Sequence, residues 1–521
     1  MLEWLAEYLK GNVIGGAFAM VAVFLLLGIF SSRLSSRLNM PVLLLFLGVG
    51  IIFGAYPEAQ FNIHTGSAVE FTNIIGTIAM AFILYSGGLE TEMRNVRRIF
   101  VPGILLSTLG VFLTAAILTA AVHFLLGWSW YWSFLLSAVV SSTDAAAVFA
   151  ILRGRCVALR GNLAPVLEFE SGSNDPMAAL LTIFTLQLLT DPGQTSLWNL
   201  AWVFPSKMLI GIGGGWLIGT LGGKLFNNAK FEYEGLYFVL SIALVTLSYG
   251  LTELFYGNGF MAAYCAGVTM GNVRYNYKRG QIRFTNGLAW LMQVAMFTVL
   301  GMLVTFSDLV TIPPTGVYTV VWVRGRLLAL VLMFAARPLA VFLCLIKSQF
   351  SWKERILISW VGLRGAAPIV LATFPLAYKL QGNAAAGETA GMLFNLVFCM
   401  VIASVIIQGY TLMPLARLLK LDLPCQDKDR MPLELEDTGV LDSVMHEFDV
   451  DNHSPCLNRT LAEIKLPEGA RVMLIRREGS FIMAKGSTTI QLNDGLLIMA
   501  ERKIQHQLAR DYFPGNDFFD N

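Results

Sequence analysis

Charged residues are scarce in this chain of 521 residues: Asp, Glu, Lys and Arg make up 14% of it, and 55% is hydrophobic. The mean hydropathy is +0.62. Because soluble domains carry about 25% charged residues, this composition excludes a soluble protein over most of the length and predicts a polytopic membrane protein. The net charge of +2 says nothing about partners by itself, and no nucleic-acid partner is expected.

Cysteine and histidine are also sparse. The six cysteines form no C-x-x-C pair, and the five histidines have no metal-ligand spacing, so neither a disulfide framework nor a zinc site is predicted. The sequence shows no nucleophile–base arrangement and no phosphate loop, so neither an enzyme nor a cofactor is expected. The first apolar segment follows Glu3 and Glu7 rather than basic residues, which favours a retained membrane helix over a cleaved signal peptide.

Apolar runs long enough to cross a bilayer recur through residues 1–420. A spanning helix needs about 20 such residues. The runs predict thirteen spans, at 13–31, 41–56, 70–90, 100–125, 131–151, 163–190, 198–223, 235–255, 258–272, 287–306, 326–346, 355–378 and 389–418. The predicted fold is therefore an all-α polytopic membrane domain.

Lysine and arginine concentrate in the loops on one side of these spans. One such loop holds Arg94, Arg97 and Arg98, and another holds Arg274, Lys278 and further basic residues. By the positive-inside rule the N-terminus is predicted outside and the C-terminus in the cytoplasm, with the protein in the cell inner membrane and in contact with lipid.

Polar residues interrupt the sixth apolar run. The stretch 168–176 reads EFESGSNDP, with three carboxylates within eight residues. A charge in the middle of a membrane helix is costly and usually functional. Glu168, Ser171 and Asp175 share one helical face, and Pro176 has no N–H, which leaves a carbonyl available as a ligand. The stretch predicts an intramembrane site for a cation or proton; the alternative is a polar cluster that only satisfies itself.

Two other runs are also interrupted. Residues 141–145 read SSTDA in the fifth span, and residues 362–368 read GLRGAAP in the twelfth. If spans one to six and eight to thirteen are inverted repeats, the two interruptions correspond. Paired broken helices in inverted halves indicate a transporter site near the middle of the membrane. Ordinary helix kinks are the alternative.

The apolar spans contain both signs of charge. The acids Asp144, Glu168, Glu170 and Asp175 oppose two arginines, Arg337 and Arg364. Because a buried charge normally has a partner, we expect Glu170 to pair with Arg337, which leaves Asp175 as the best titrating group. A carboxylate that holds either a proton or a cation, but not both, couples two fluxes in opposite directions.

Four motifs together resemble the monovalent cation:proton antiporter family, in its NhaP-type branch. They are Ser142-Thr143-Asp144, Glu170-Ser171-x-x-Asn174-Asp175, Arg337-Pro338 and Leu363-Arg364-Gly365. The resemblance covers essentially all of residues 1–420. It implies a homodimer whose protomers have a dimerisation domain and a moving core domain, with elevator-like alternating access.

The resemblance also implies roles for the motif residues. Asp175 would carry the cation and the proton, and Asp144 would be the second carboxylate on the bound K⁺ or Na⁺. Thr143, Ser171 and Asn174 would complete the cation site. An asparagine rather than a second aspartate before Asp175 resembles the electroneutral branch and implies one cation per proton.

The remaining motif residues take supporting roles in the resemblance. Glu170 and Arg337 would form a structural ion pair, and Arg364 would lie where the broken helices cross. In one position the chain departs from the family pattern: many members have a carboxylate where this chain has Ser86, and the nearest acid is Glu90, predicted as an interface residue. One carboxylate fewer favours a larger ion such as potassium over sodium.

The composition becomes polar from about Cys425. Short alternating runs at 471–476, 480–484 and 495–500 predict strands of a small cytoplasmic α/β domain. Residues from about 440 to 505 resemble the TrkA-C type domain that regulates potassium conductance. The predicted organisation is a transmembrane domain at 1–420, a linker at 421–437 and a regulatory domain at 438–521.

The combination of such a core and tail resembles potassium/proton antiporters of the cell volume regulation protein A type. It implies exchange of cytoplasmic K⁺, and of Na⁺ as a second substrate, for external H⁺, with a role in cation, pH and volume homeostasis and a small-molecule regulator of the tail. The alternatives are a mainly sodium/proton antiporter, a cation channel gated by the tail, and a sensor that does not transport. The tail could also be an assembly module without a ligand.

Overall fold

The computed structural model describes most of the chain. The described residues are 13–38, 42–54, 66–154, 157–190, 197–229, 231–304, 317–377, 384–424, 443–451, 454–464, 466–477 and 480–513. They divide into two compact units, Met1–Arg274 with Ile282–Cys425, and Tyr275–Gln281 with Gln426–Asn521.

Helices make up most of the first unit. They are α1 (Val13–Leu38), α2 (Val42–Gly54), α3 (Gly66–Glu90), α4 (Met93–Leu105), α5 (Val111–Leu126), α6 (Trp130–Val139), α7 (Ala145–Gly154), α8 (Leu163–Thr190), α9 (Leu197–Asn228), α10 (Gly235–Leu254), α11 (Gly259–Asn272), α12 (Lys278–Leu303), α13 (Val317–Val331), α14 (Arg337–Cys344), α15 (Trp352–Trp360), α16 (Ala366–Ala377) and α17 (Ala384–Leu419). Two π-helical turns, Leu106–Gly110 and Leu332–Ala336, connect α4 to α5 and α13 to α14.

Seven helical segments of the described part are long and apolar enough to cross a membrane, judged by length and composition. They are Gly66–Glu90, Val96–Leu126, Trp202–Asn228, Gly235–Leu254, Lys278–Leu303, Val323–Cys344 and Gly387–Leu419. The class of helical, multi-pass membrane protein is confirmed. The count of thirteen spans stays a prediction, because several of the predicted spans are occupied by shorter or interrupted helices.

Two spans are interrupted at the polar motifs. Helix α6 ends at Val139 and α7 begins at Ala145, whereas α15 ends at Trp360 and α16 begins at Ala366. Helix α8, in contrast, runs through Pro176 without a break. The non-helical residues 140–144 and 361–365 therefore present main-chain groups that helices cannot satisfy, and their partners decide the geometry of the interior.

Helices α3 and α11 pack against each other at backbone distance. A Cβ atom at Gly267 would overlap the carbonyl of Tyr85, and one at Gly88 would overlap the carbonyl of Tyr264. Small residues allow this approach, which is typical of helix pairs in membranes. Another glycine of α3, Gly76, packs against Val370 of α16, the helix that follows the second break.

A short strand pair joins two distant parts of the first unit. Strand β1 (Val157–Leu159) pairs antiparallel with β2 (Asp422–Pro424), and the Arg160 N–H donates to the carbonyl of Leu421 at 3.0 Å. The predicted linker 421–437 therefore begins with paired strand residues, because these main-chain groups find partners on β1. The rest of that linker lies outside the described residues.

The second unit contains a four-stranded antiparallel sheet. Its elements are β3 (Ser443–Asp449), β4 (Arg471–Arg477), β5 (Ser480–Met483), β6 (Gly495–Glu501) and the helix α18 (Arg502–Tyr512), with the strand order β3-β6-β4-β5. Its own apolar core includes Ile475, Leu496 and Phe513. The sequence predicts β4, β5 and β6 but not β3, because Val444 and Met445 are adjacent apolar residues and break the alternation.

Candidate functional site

A narrow cavity lies where the two interrupted helices meet. Its volume is about 40 Å³, room for roughly three water molecules. The polar groups that line it are Ser142, Thr143 and Asp144 from the first break, Asp175 from α8 and Gln293 from α12. Gly365, Ala366 and Pro368 of the second break and α16 close another side. The cavity thus brings together two carboxylates that lie 31 positions apart in the sequence.

Asp144 ends the first break and starts the next helix. Its carboxylate Oδ1 accepts a hydrogen bond from the Ala147 N–H at 3.2 Å, and its own N–H donates to the carbonyl of Leu363 at 2.8 Å. An aspartate side chain that accepts a hydrogen bond from the N–H three residues later is a usual N-cap of a helix. The two breaks are therefore hydrogen-bonded to each other through main-chain atoms.

The side chain of Arg364 donates hydrogen bonds to main-chain carbonyls of the first break. Its Nη1 donates to the carbonyl of Ser141 at 2.7 Å and also to the carbonyl of Ser142. Its N–H donates to Ser404 Oγ at 3.3 Å. The guanidinium is 1% exposed and lies at the carboxyl end of α6, where the helix dipole favours a cation. The structure thus places Arg364 at the crossing of the two breaks.

Gly365 leaves the space that the Asp144 carboxylate occupies. A Cβ atom at this position would overlap Asp144 Oδ2 and Cγ. Any side chain here would push the carboxylate, so glycine is required by contact rather than by backbone conformation. The two breaks fit together only with a small residue at this point.

Two residues of α8 hold the first break instead of lining the cavity. Ser171 Oγ donates to the carbonyl of Thr143 at 2.9 Å and accepts from the Ala145 N–H at 2.9 Å. Asn174 Nδ2 donates to Thr143 Oγ1 at 2.5 Å. Neither Ser171 nor Asn174 is among the residues that line the cavity. Their geometry orients Thr143, whereas direct contact of either side chain with a cation stays a prediction.

Glu170 and Arg337 form an ion pair away from the cavity. Arg337 Nη2 lies 2.5 Å from Glu170 Oε1, and the two side chains are 2% and 1% exposed. Gly362 lies beside this pair, because a Cβ atom there would come within 3.2 Å of Arg337 Nε. The structure brings together the acid and the arginine that the sequence pairs.

Glu168 differs from the prediction that it lies in the apolar interior. Its side chain is exposed, because it lies in the second turn of α8, close to the end of the helix. The nearby Gly172 packs against the ring of Tyr264, with which a Cβ atom would overlap. Gly172 does not line the cavity, so its carbonyl is not placed there as a ligand.

The sequence did not identify two polar cavity residues. Gln293 carries a signal in the sequence, a lone amide in an apolar span, and Ser142 belongs to a motif in which no role is assigned to it. Ser142 lies in the cavity wall, whereas Asn174 Oδ1 is a buried oxygen that does not line it and for which the described residues show no hydrogen-bond partner. The described residues contain no group of three or more His, Cys, Asp or Glu side chains that could hold a metal ion. The cavity therefore offers two carboxylates and neutral oxygens.

Comparison with known proteins gives two family matches. Residues 21–418 match the sodium/hydrogen exchanger family, described as transmembrane, and residues 445–511 match the TrkA-C domain. The second match lies in the sheet-containing unit.

Individual proteins are similar over nearly the whole length. The chain is 34% identical to the K(+)/H(+) antiporter NhaP of Alkalimonas amylolytica, over 92% of this chain and 80% of the relative. It is 34% identical to the K(+)/H(+) antiporter NhaP2 of Shewanella oneidensis, over 96% of this chain and 84% of the relative. The fold is similar to the sodium proton antiporter MjNhaP1 of Methanocaldococcus jannaschii, with a TM-score of 0.64 and 24% identity, over 76% of this chain and 99% of that structure.

Proposed function

The chain belongs to the sodium/hydrogen exchanger family, and from that premise we propose that it exchanges cytoplasmic K⁺ for external H⁺, with Na⁺ as a second substrate. The family consists of transporters rather than catalytic enzymes. Potassium comes first because the two bacterial relatives above carry that ion in their names and align along most of this chain. The exchange is electroneutral and proceeds by alternating access.

The observation that carries this proposal is the cavity at the helix crossing, with Asp144 and Asp175 on its wall. Carboxylate, hydroxyl and amide oxygens suit a monovalent cation, and the same carboxylates accept protons. Asp175 is the carrier, because Asp144 also caps α7. Thr143 takes part through its hydroxyl, and Ser171 and Asn174 hold it in place.

Charge counting supports one cation per proton. The Glu170–Arg337 pair is neutral as a unit and nine-tenths or more buried. The crossing contains Arg364 with Asp144 and Asp175, which sum to one negative charge. One proton or one K⁺ brings this group to neutrality, and both together would leave an uncompensated charge in a medium where such a charge is costly.

The test is proton efflux from acid-loaded inverted vesicles on addition of K⁺ or Na⁺, with a permeant anion to hold the membrane potential near zero. The unsubstituted protein should dissipate the gradient with both ions, and the half-maximal concentration should be lower for K⁺. Asp175→Asn should abolish exchange with both ions.

Two other outcomes decide against the proposal. Full exchange by Asp175→Asn would remove the carrier assignment and make Asp144 the next candidate. A flux that does not saturate with cation concentration and carries no protons would identify a channel instead.

The proposal extends to assembly and placement. The protein is a homodimer in the lipid of the cell inner membrane, with its N-terminus outside and its C-terminus in the cytoplasm. The TrkA-C domain takes a small-molecule regulator. Crosslinking of single-cysteine variants in intact membranes tests the dimer, and labelling of the same variants from either side tests the orientation.

A further inference from the structure

Helices α3 and α12 form two walls of the cavity. Met80, Ile83 and Leu84 of α3 line it, as do Gln293, Met296 and Phe297 of α12. The cavity walls on these helices are mostly apolar. Gln293 is the polar residue of this set, and the residues of α3 that line the cavity are apolar.

A three-residue polar cluster joins the same two helices. Ser86 Oγ donates to Asn286 Oδ1 at 2.7 Å, and Asn286 Nδ2 donates to Glu90 Oε1 at 2.6 Å. The exposure of the side chains decreases from one end of this cluster to the other: Glu90 is exposed, Asn286 is half-buried and Ser86 is buried. The cluster thus runs from the surface into the space between the helices.

Helical spacing places this cluster in line with the cavity. Asn286 and Gln293 are seven residues apart and share a face of α12, and Ile83 and Glu90 are likewise seven residues apart on one face of α3. At 1.5 Å per residue, Glu90 and Asn286 lie about 10 Å along their helices from these lining residues, and Ser86 lies about 5 Å from Ile83. Both walls therefore continue from the cavity to the cluster.

We propose that Glu90, Asn286 and Ser86 form an outer station that captures the monovalent cation before it reaches the Asp175 cavity. The inference rests on the proposed function. The station offers carboxylate, amide and hydroxyl oxygens, which are the ligands of hard cations. It explains the position of a carboxylate one helical turn beyond Ser86.

Positive charges near the station oppose the approach of a cation, and a carboxylate at the station counteracts them. Arg94 and Arg97 are exposed on α4, which directly follows α3 in the chain, and they repel cations. A negative charge at the mouth of an apolar-walled passage raises the local cation concentration. Glu90 both raises this local concentration and offers a carboxylate oxygen for the transient capture, whereas Asp175 holds the ion that is transported.

A plain interhelical tie is the competing role, and the chain allows a clean separation of the two. Glu90→Gln keeps an oxygen that accepts from Asn286 Nδ2 but removes the charge. Glu90→Ala removes both. Glu70→Gln makes the same charge change at the opposite, exposed end of α3 and serves as the matched control.

The experiment measures exchange rate against K⁺ concentration in inverted vesicles for the unsubstituted protein, Glu90→Gln and Glu70→Gln. Glu90→Gln should raise the half-maximal K⁺ concentration by about three- to tenfold with the maximal rate nearly unchanged. The difference should shrink in high choline chloride, because salt screens an exposed charge. Glu70→Gln should match the unsubstituted protein.

Unchanged half-maximal K⁺ in Glu90→Gln, together with a lowered unfolding temperature in Glu90→Ala, would overturn the station and leave an interhelical tie. The same is true of an equal shift in Glu70→Gln, which would show a general surface-charge effect. If Asp175→Asn is inactive in the same vesicles, such a result leaves the proposed function standing. No exchange by the unsubstituted protein overturns the proposed function and the station with it.

Discussion

The interior contains two sets of acids and arginines that differ in how their charges are used. In the first set, Glu170 and Arg337 are almost completely buried and lie in direct contact. In the second, Arg364 donates to main-chain carbonyls at the helix crossing, and Asp144 and Asp175 face a cavity. A pair in contact contributes to folding, whereas carboxylates on a cavity can exchange ligands.

Breaking the first set should have the largest effect on stability. Glu170→Ala or Arg337→Ala leaves one buried charge without its partner, which costs about 3–5 kcal/mol. We expect a clear drop in the thermal unfolding midpoint of the protein in detergent, followed by tryptophan fluorescence. Asp175→Asn is the matched substitution in the second set, and it should leave this midpoint unchanged or raise it.

The double substitution Glu170→Leu with Arg337→Met sharpens the same comparison. Two apolar side chains of similar volume often replace a buried ion pair without loss, so the double variant should recover most of the midpoint lost in either single variant. A double variant as unstable as the sum of the singles would show that the pair contributes hydrogen bonds that apolar packing cannot replace.

Substitution of either glycine of the second break by alanine adds one methyl group. The two substitutions test the difference between the ion pair and the charges at the cavity. Gly365→Ala would push the Asp144 carboxylate, with which its Cβ overlaps, and overpacking of this kind costs about 1–3 kcal/mol. The exchange rate should also fall, because the displaced carboxylate no longer lies where it lines the cavity. Gly362→Ala meets Arg337 Nε at 3.2 Å, and the expected effect is a small loss of stability with exchange retained. Equal loss of exchange in both would mean that the break tolerates no side chain at either glycine.

The smallest effect is expected from the hydroxyl that holds the first break. Ser171→Ala removes two hydrogen bonds to the main chain at Thr143 and Ala145, each worth about 1 kcal/mol. The half-maximal K⁺ concentration should rise several-fold. Ser173→Ala is the control, because Ser173 Oγ donates to the Phe169 carbonyl of its own helix. A larger effect of Ser173→Ala on this concentration would contradict the assigned role of Ser171.

Much of this arrangement could be predicted from the sequence because charge is so costly in an apolar run. Asp144, Asp175, Arg337 and Arg364 stand out in hydrophobic segments for that reason. The sequence does not predict which of the surrounding polar side chains line the cavity and which ones hold the first break in place. Helical spacing shows which residues share a face, but the partner of a hydroxyl such as that of Ser171 depends on which helices cross.

Other features gave weak signals for identifiable reasons. Glu168 has the spacing of a site residue, yet its place near the start of α8 exposes it. The bridge from Ser86 through Asn286 to Glu90 joins residues about 200 positions apart, a distance over which periodicity carries no information. Strand β2 has three residues, too few to show an alternating pattern, so the sequence predicts a linker at this position.

Strand β2 also determines where the chain can be shortened. A truncation before Asp422 removes the partner of β1 and leaves the unpaired edge of β1 just before α8 begins at Leu163. A truncation after Pro424 removes the TrkA-C domain and keeps the strand pair. A chain that stops at Leu419 lacks both the strand pair and the TrkA-C domain, so its transport activity would combine the two losses. Only the chain that ends after Pro424 would report on the TrkA-C domain alone.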